Sequence, residues 1–208
     1  LRHRFGPSRP PTDMNCRLAT RSDAEAIAAI YRPYVEETAI TFEETPPDAD
    51  EIAARITDTV ETYPWFVAER KGAVVGYAYA GKLRKRAAYR WVVELSVYVD
   101  RERRGEGIGS ALYDALLATL ERQGFRSAYG VVTLPNPGSV AFHEAWGFEQ
   151  AALLPEAGYK LGEWHDVAWY ERGLGDGRPD DPAEPTPFSA CRDAPWLDDV
   201  LTAAAKGE

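Results

Sequence analysis

The sequence of 208 residues contains few cysteines and few histidines. Cys16 and Cys191 lie far apart and neither belongs to a CxxC pair, so a disulfide framework and a cysteine-based metal site have no support. The three histidines, His3, His143 and His165, are too scattered to indicate a metal site. We therefore expect no bound metal.

The sequence also lacks a long apolar run and a surplus of basic residues. No run approaches the length that crosses a bilayer, and the opening letters LRHRFGPSRPPTD lack the apolar centre of a signal peptide. The net charge of −9 argues against general nucleic-acid binding, while 45% hydrophobic residues suffice for a sizeable core. We expect a globular cytoplasmic protein that binds neither membrane nor nucleic acid.

Composition divides the chain into three parts. Residues 1–13 hold three prolines and no periodic pattern, which predicts a disordered leader. Residues 14–174 alternate in the order β-α-α-β-β-β-α-β-α-β-β, which predicts a single α/β domain with a mixed sheet. Residues 175–208 are acidic and proline-rich, so we expect a tail with little packing. Its final stretch could form a short amphipathic helix that docks Trp196 and Leu197 on the domain.

The most informative motif is RRGEGIGSAL, residues 103–112, between a strand-like run and an apolar helical pattern. Gly105, Gly107 and Gly109 therefore lie on a strand-to-helix turn, where free backbone N–H groups and the helix dipole attract anions. A tight turn that only needs flexibility would use the same glycines. Their spacing fits neither the P-loop nor the dinucleotide fingerprint.

Four motifs in order carry a resemblance to a known family: VELSVYV, RRGEGIG, LPNPGSVAFHEAWGF and GYKLGEWHDVAWY. Together they resemble the GCN5-related N-acetyltransferase (GNAT) superfamily, and more narrowly the phosphinothricin and methionine sulfoximine acetyltransferases, over roughly residues 17–174. The resemblance implies a mixed central sheet, splayed at an acetyl-CoA site and flanked by helices. It also implies a homodimer that acetylates the amino group of a small amino acid or analogue, such as phosphinothricin, methionine sulfoximine or methionine sulfone, by direct amine attack on the thioester.

The resemblance further implies which residues bind the cofactor. Loop amides would meet the diphosphate of coenzyme A with added charge from Arg103 or Arg104, and Glu106 must then point outward to avoid repelling the phosphates. The backbone of residues 97–99 would pair with the pantetheine arm, although an ordinary core strand would look the same. Asn136 could contact the arm or simply cap a helix. The expected cofactor set is Val97, Tyr98, Val99, Arg104, Gly105, Glu106, Gly107, Ile108, Gly109, Ser110 and Asn136.

Glu94 is the candidate general base. It is a carboxylate within an apolar strand, and burial would raise its pKa toward the range useful for accepting a proton from an amine. The family resemblance places a proton-accepting glutamate here. The alternative is a salt bridge to Arg84, Arg86 or Arg90.

His143 is the second catalytic candidate. A lone histidine on a helix is more often structural, but the resemblance places this one near the reacting centre as an acid, base or orienting group. Trp164 and His165, in the closing motif, are expected at the lip of the site or in a dimer contact.

Substrate recognition is expected in the loops before Glu94. Arg84 and Arg86 could bind the carboxylate of an amino acid, while Phe42 and Tyr89 would wall the side-chain pocket. A solvated basic hairpin is the alternative for the arginines. Two rival functions are a protein N-terminal or lysine acetyltransferase, which needs an open peptide groove, and a non-catalytic acyl-CoA-binding module, which needs no base.

Overall fold

The computed structural model describes residues 10–175, 177 and 179–207. In these ranges, five α-helices surround a seven-stranded sheet of order β1-β2-β3-β4-β5-β7-β6. The strands are β1 (Met14–Leu18), β2 (Trp65–Arg70), β3 (Ala73–Lys82), β4 (Val92–Val99), β5 (Ser127–Thr133), β6 (Glu149–Lys160) and β7 (Glu163–Gly173). The helices are α1 (Ala24–Glu37), α2 (Ala49–Thr59), α3 (Ile108–Gln123), α4 (Pro137–Ala145) and α5 (Pro195–Lys206).

The order of elements confirms the predicted α/β domain with a mixed sheet. Among the strands that the structure describes, the β4–β5 pair alone is parallel, and the other neighbouring strands run antiparallel. Most of the predicted leader, residues 1–9, lies outside the described residues. Within the described ranges, no helix is long and apolar enough to cross a membrane.

The sheet splays between its two parallel strands. β4 and β5 pair only from Val92 with Ser127 to Leu95 with Gly130. Beyond this point β4 continues to Val99, still paired with β3 but no longer with β5. This confirms the expected splay and leaves a wedge in the middle of the sheet.

Alternation along β4 sends its side chains to two different cores. Val93 and Leu95 belong to the apolar cluster that includes α3, whereas Tyr98 packs on the cluster that includes α1 and α2. Because side chains on a strand alternate between faces, Glu94 shares the α1 side with Tyr98. The carboxylate is thus carried by a strand covered on both faces by helices.

The segment after β7 differs from its expected behaviour. It ends in the 12-residue helix α5, whose Leu197 is 1% exposed and shares a core with Met14 of β1. The side-chain amide of Gln123 donates to the backbone oxygen of Thr186, which ties the segment to α3. The expectation of little packing therefore does not hold for the end of the segment, where the structure has the alternative, an amphipathic helix that buries its apolar stripe on the domain.

Candidate active site

The glycine-rich loop connects β4 to α3 through two left-handed glycines. Gly105 and Gly107 have φ of 81° and 80°, a region that favours glycine because it has no Cβ. Gly107 is the N-cap of α3, and because glycine has no side chain, it cannot cap the first N–H groups of the helix. The first N–H groups of α3, with the positive end of its dipole, are therefore available to an anion in front of the helix.

A cavity of about 640 Å³ lies in front of this helix N-terminus. Arg103 and Arg104 line it from the loop, and Tyr34 and Trp146 line it from α1 and the end of α4. The free amides and the two guanidinium groups form a donor set that fits a diphosphate. Most of the predicted cofactor set lines this cavity: Val97, Val99, Arg104, Gly105, Gly107, Ile108, Gly109, Ser110 and Asn136.

Two members of the predicted cofactor set do not line this cavity. Glu106 turns to Arg70, whose Nη1 lies 2.6 Å from its Oε2, and Arg103 stands 4.0 Å away. Its carboxylate is thus held by cations, in the outward orientation that a phosphate site requires. The Tyr98 ring points to the other face of β4 and packs edge-on against Tyr31 at a centroid distance of 4.8 Å. The Tyr98 ring is therefore not part of the lining of this larger cavity.

Asn136 is the N-cap of α4. Its side-chain oxygen accepts a hydrogen bond from Ser139 N at 3.1 Å, and Pro137 follows at the first helical position. Asn136 therefore caps the helix, and its contact with a cofactor stays a prediction.

A second cavity of about 370 Å³ adjoins the first at the splay. Both cavities are lined by Ile40, Val97 and Ser139, so they meet where β4 and β5 part. The second cavity is walled by apolar side chains from the loop after α1 and from β6 and β7. Its polar lining consists of Thr41, Glu94, Ser96, Tyr98, Tyr113, Thr133, Ser139 and His143.

Glu94 reaches the second cavity as a carboxylate that forms no salt bridge with the described residues. Burial raises its pKa, and the charge of Arg84 only partly opposes this effect. Among the described residues no salt bridge joins Glu94 to an arginine: Arg84 lies over the Trp169 ring at 4.4 Å, and Arg90 pairs with Glu184. The alternative of a structural ion pair is therefore not what the structure shows.

His143 is buried, and both of its ring nitrogens have protein partners. Nδ1 lies 2.8 Å from the backbone oxygen of Ser139 and Nε2 lies 3.0 Å from the Tyr113 hydroxyl. Because a carbonyl can only accept, Nδ1 carries the hydrogen and the Tyr113 hydroxyl donates to Nε2. Burial lowers the pKa of His143, so the imidazole is neutral near pH 7. This arrangement favours an orienting role over an acid role.

The imidazole of His143 lies directly over Gly130 of β5. A Cβ added to Gly130 would stand only 2.2 Å from Nε2 of the imidazole. The glycine thus provides the space that lets His143 fill the wedge between the strands.

The predicted substrate residues are not all brought together. Phe42 lines the second cavity, and its ring centroid lies 6.3 Å from that of His165. Arg84, Arg86 and Tyr89 lie on the exposed loop before β4 and are not among the residues lining that cavity. Trp164 is 62% exposed near the tip of the β6–β7 hairpin. The substrate roles of these residues stay predictions.

Sequence reasoning missed three residues of this region. Ser96 shares a face with Glu94 and follows from strand alternation. Tyr113 lies among the apolar positions of α3, where nothing distinguishes it from a core residue. Lys160 is buried at the end of β6, and its Nζ donates to the Thr41 backbone oxygen at 2.7 Å.

Within the described ranges, no three His, Cys, Asp or Glu side chains are grouped so as to hold a metal ion.

Residues 16–169, which carry both cavities, match the family described as acetyltransferase (GNAT) domain. The chain belongs to the GNAT acetyltransferase family. This match confirms the resemblance found in the four sequence motifs and identifies the chain as an acetyltransferase.

This GNAT enzyme has similar relatives along most of its length. It is 40% identical over 181 residues to phosphinothricin N-acetyltransferase of Streptomyces viridochromogenes, covering 87% of this chain and 98% of that relative. It is 35% identical over 160 residues to the L-methionine sulfoximine/L-methionine sulfone acetyltransferase of Pseudomonas aeruginosa, covering 76% and 93%. The crystal structure of a GNAT phosphinothricin acetyltransferase from Sinorhizobium meliloti in complex with AcCoA is 41% identical, with a TM-score of 0.79, over 83% of this chain and 94% of that one.

Proposed function

We propose that this GNAT enzyme transfers the acetyl group of acetyl-CoA to the amino group of a small amino acid or analogue. The observation that carries the proposal is the pair of adjoining cavities at the splay, one in front of a helix N-terminus and one holding Glu94. Relatives named for phosphinothricin and methionine sulfoximine support substrates of that chemical class.

The larger cavity would hold acetyl-CoA. The amides at the start of α3, together with Arg103 and Arg104, fit its diphosphate. Beyond Leu95 the side of β4 that faces the wedge has no β5 partner, so its backbone groups are free to pair with the amides of the pantetheine arm. Bound there, acetyl-CoA supplies the thioester that the amine attacks.

Glu94 would act as the general base. Its raised pKa makes it a stronger proton acceptor, and it takes a proton from the substrate ammonium directly or through water. The neutral nitrogen then bonds to the thioester carbon, and backbone N–H groups of β4 in the wedge stabilise the oxygen as it gains negative charge. The carbon–sulfur bond breaks with its electron pair on sulfur, and the nitrogen releases its second proton, to the thiolate or to water, as the amide forms. The thiolate needs little further help to leave because a thiol has a pKa near 8.5.

Arg84 is better placed than Arg86 to bind a substrate carboxylate. It stacks on Trp169 of β7, and its charge is close enough to Glu94 to offset part of the rise in pKa that burial causes. Arg86 lies further along the exposed loop and has no comparable contact among the described residues. A substrate carboxylate near Glu94 would therefore meet Arg84 first.

The dimensions of the second cavity favour a small substrate over a protein. Its volume is about 370 Å³, and Phe42, Leu154 and Val167 wall it. A peptide substrate needs an open groove instead. Glu94 argues against a binding module without turnover, since such a module needs no base.

The test of this function is a thiol-release assay with acetyl-CoA and amino acids, including their sulfone, sulfoximine and phosphinate analogues. We expect Glu94→Gln to lower turnover at pH 7 by about 10² to 10⁴ and to recover partly at higher pH, where more substrate amine is neutral. As a control, Glu149→Gln, at an exposed position of β6, should have the same turnover as the wild type. Equal turnover of Glu94→Gln and wild type would remove Glu94 as the base.

The two arginines can be separated by kinetics. Arg84→Ala should raise KM for free amino acids by about tenfold or more, because loss of a hydrogen bond to a charged group costs about 1.5 to 3 kcal/mol. Arg86→Ala should change KM for free amino acids less than twofold, and neither variant should change KM for acetyl-CoA. An amino-acid amide should be a poor substrate for the wild type and lose little more with Arg84→Ala. Equal effects of both variants on acid and amide would favour the protein-acetylating rival.

A homodimer belongs to the same proposal. β6 is an edge strand of the sheet, and large apolar side chains on it, at its turn and at the start of β7 are exposed: Leu153, Tyr159, Leu161 and Trp164. Such a strip on an open edge suits a second copy of the chain. Trp164→Glu should shift the protein to a monomer in sedimentation velocity, and an unchanged sedimentation coefficient would count against this surface.

The cytoplasmic location of the protein stays a prediction.

A further inference from the structure

Residues 40–42 form one wall of the second cavity, on the loop between α1 and α2. Phe42 is 40% exposed, so packing on all sides does not fix its ring. The position of this wall depends on what holds the loop.

On the α1 and α2 side, hydrogen bonds hold the loop. The Tyr31 hydroxyl lies 2.7 Å from Thr41 Oγ1 and donates to Glu43 at 3.1 Å. Glu43 in turn accepts two hydrogen bonds from Arg55, at 2.7 and 3.0 Å. These side-chain bonds anchor the loop to α1 and α2.

On the opposite side, β6 holds the loop through two residues. Lys160 is 6% exposed, and its Nζ donates to the Thr41 backbone oxygen at 2.7 Å. Gly158, which pairs with His165 across the hairpin, has the Phe42 ring directly over it. A Cβ at Gly158 would stand 2.2 Å from Cε2 of that ring. Gly158 is not among the glycines with positive φ, so the ring, and not the backbone, requires glycine there.

We propose that Gly158 and Lys160 are specificity-determining positions of the amine site, through their hold on Phe42. Lys160 draws the loop onto the hairpin, and Gly158 lets the ring settle against it. Together they set how much of the second cavity is left for a substrate side chain. This inference rests on the proposed function and adds residues that touch neither acetyl-CoA nor the reacting atoms.

The size of the expected effect follows from the contact distance. Carbon atoms in contact lie about 3.5 to 4.0 Å apart, so a methyl group at Gly158 must displace the Phe42 ring by more than about 1 Å. One methylene in an apolar pocket changes discrimination by about 10- to 200-fold. A displaced ring should therefore change the ranking of substrates by side-chain length.

The experiment compares Gly158→Ala with Gly173→Ala, a matched control at the end of β7 where an added Cβ meets nothing within 4 Å. For Gly158→Ala we expect the ratio of kcat/KM between methionine sulfone and alanine to change at least tenfold, with KM for acetyl-CoA within twofold of wild type. Gly173→Ala should leave the ratio unchanged. An unchanged ratio in Gly158→Ala would overturn the inference.

A double-mutant cycle separates action through Phe42 from a general distortion of the hairpin. In the Phe42→Ala background, Gly158→Ala should change the ratio by less than twofold, since the ring is gone. A persistent effect would show that the glycine acts by another route and would overturn the proposal.

Lys160→Met tests the second position. It should raise KM for the amino acid while kcat and KM for acetyl-CoA stay within twofold, and equal losses in all three constants would contradict a positioning role. A wild-type enzyme that acetylates no amino acid would defeat the proposed function itself. Turnover with identical substrate rankings in all variants would defeat only this inference.

Discussion

Gly130 is a single residue on which the geometry of the wedge depends. Because a Cβ there would lie 2.2 Å from His143 Nε2, Gly130→Ala must move the imidazole or the strand. We expect kcat to fall by about tenfold or more, in line with the cost of small misplacements near reacting groups, and the pH profile to change. Steady-state kinetics between pH 6 and 9 measures both. Wild-type kinetics in this variant would mean that the place of His143 is irrelevant to catalysis.

Asp114 of α3 predicts a pH dependence of stability. Burial raises its pKa to about 6, against an opposing effect of Arg172. The folded state therefore binds its proton more tightly than the unfolded state, and the stability from this group is lost as pH rises through about 6. Asp114→Asn should be more stable than wild type at pH 8 by about 1 to 2 kcal/mol, with a smaller difference at pH 5. Urea unfolding at both values measures this, and an equal difference at both would be contrary to expectation.

Single residues differ in how far the sequence reveals them. Glu94 is identifiable because an acid in an apolar strand is conspicuous, and strand alternation gives its face. Tyr113 and Lys160 are not, because their partners His143 and Thr41 are distant in the sequence and only the tertiary fold brings them close. The choice between Arg84 and Arg86 likewise depends on Trp169, a residue of another strand.

At the N-terminus of α3, we predict that Arg70 and Glu106 act together on the affinity for acetyl-CoA. Arg70 of β2 holds the Glu106 carboxylate away from the cavity. In Arg70→Met this carboxylate is released beside the phosphate site, so KM for acetyl-CoA should rise by about three- to tenfold, the effect of roughly 1 kcal/mol from a nearby like charge. Adding Glu106→Gln should restore wild-type KM. No restoration in the double variant would show that Arg70 acts on the phosphates and not through Glu106.

Helices, strands and turns could be predicted where neighbouring residues in the sequence carry the pattern. The strand and helix order follows from periodicity, and the left-handed Gly105 and Gly107 follow from the turn that joins β4 to α3. α5 was underestimated because the acidic, proline-rich stretch before it dominates the composition of the segment. Leu197 and Leu201, four residues apart, are the local signal of its apolar stripe.

At the scale of the whole molecule, α5 is part of the core. Leu197 is 1% exposed, so Leu197→Ala should lower the free energy of unfolding by about 2 to 5 kcal/mol. The exposed Asp199→Ala on the same helix should change it by less than about 0.5 kcal/mol. Urea unfolding followed by fluorescence gives both values. Equal stability of the two variants would mean that α5 does not contribute to the fold.

The packing of α5 against β1 also has a consequence during synthesis on the ribosome. β1 precedes the other six strands and α5 comes after all seven, yet Met14 and Leu197 share one core. At about 5 to 20 residues per second, the interval is on the order of ten to forty seconds. Throughout that time the apolar surface that α5 covers in the folded chain has no native partner, so this face of the sheet is exposed to non-native contacts until translation reaches the helix.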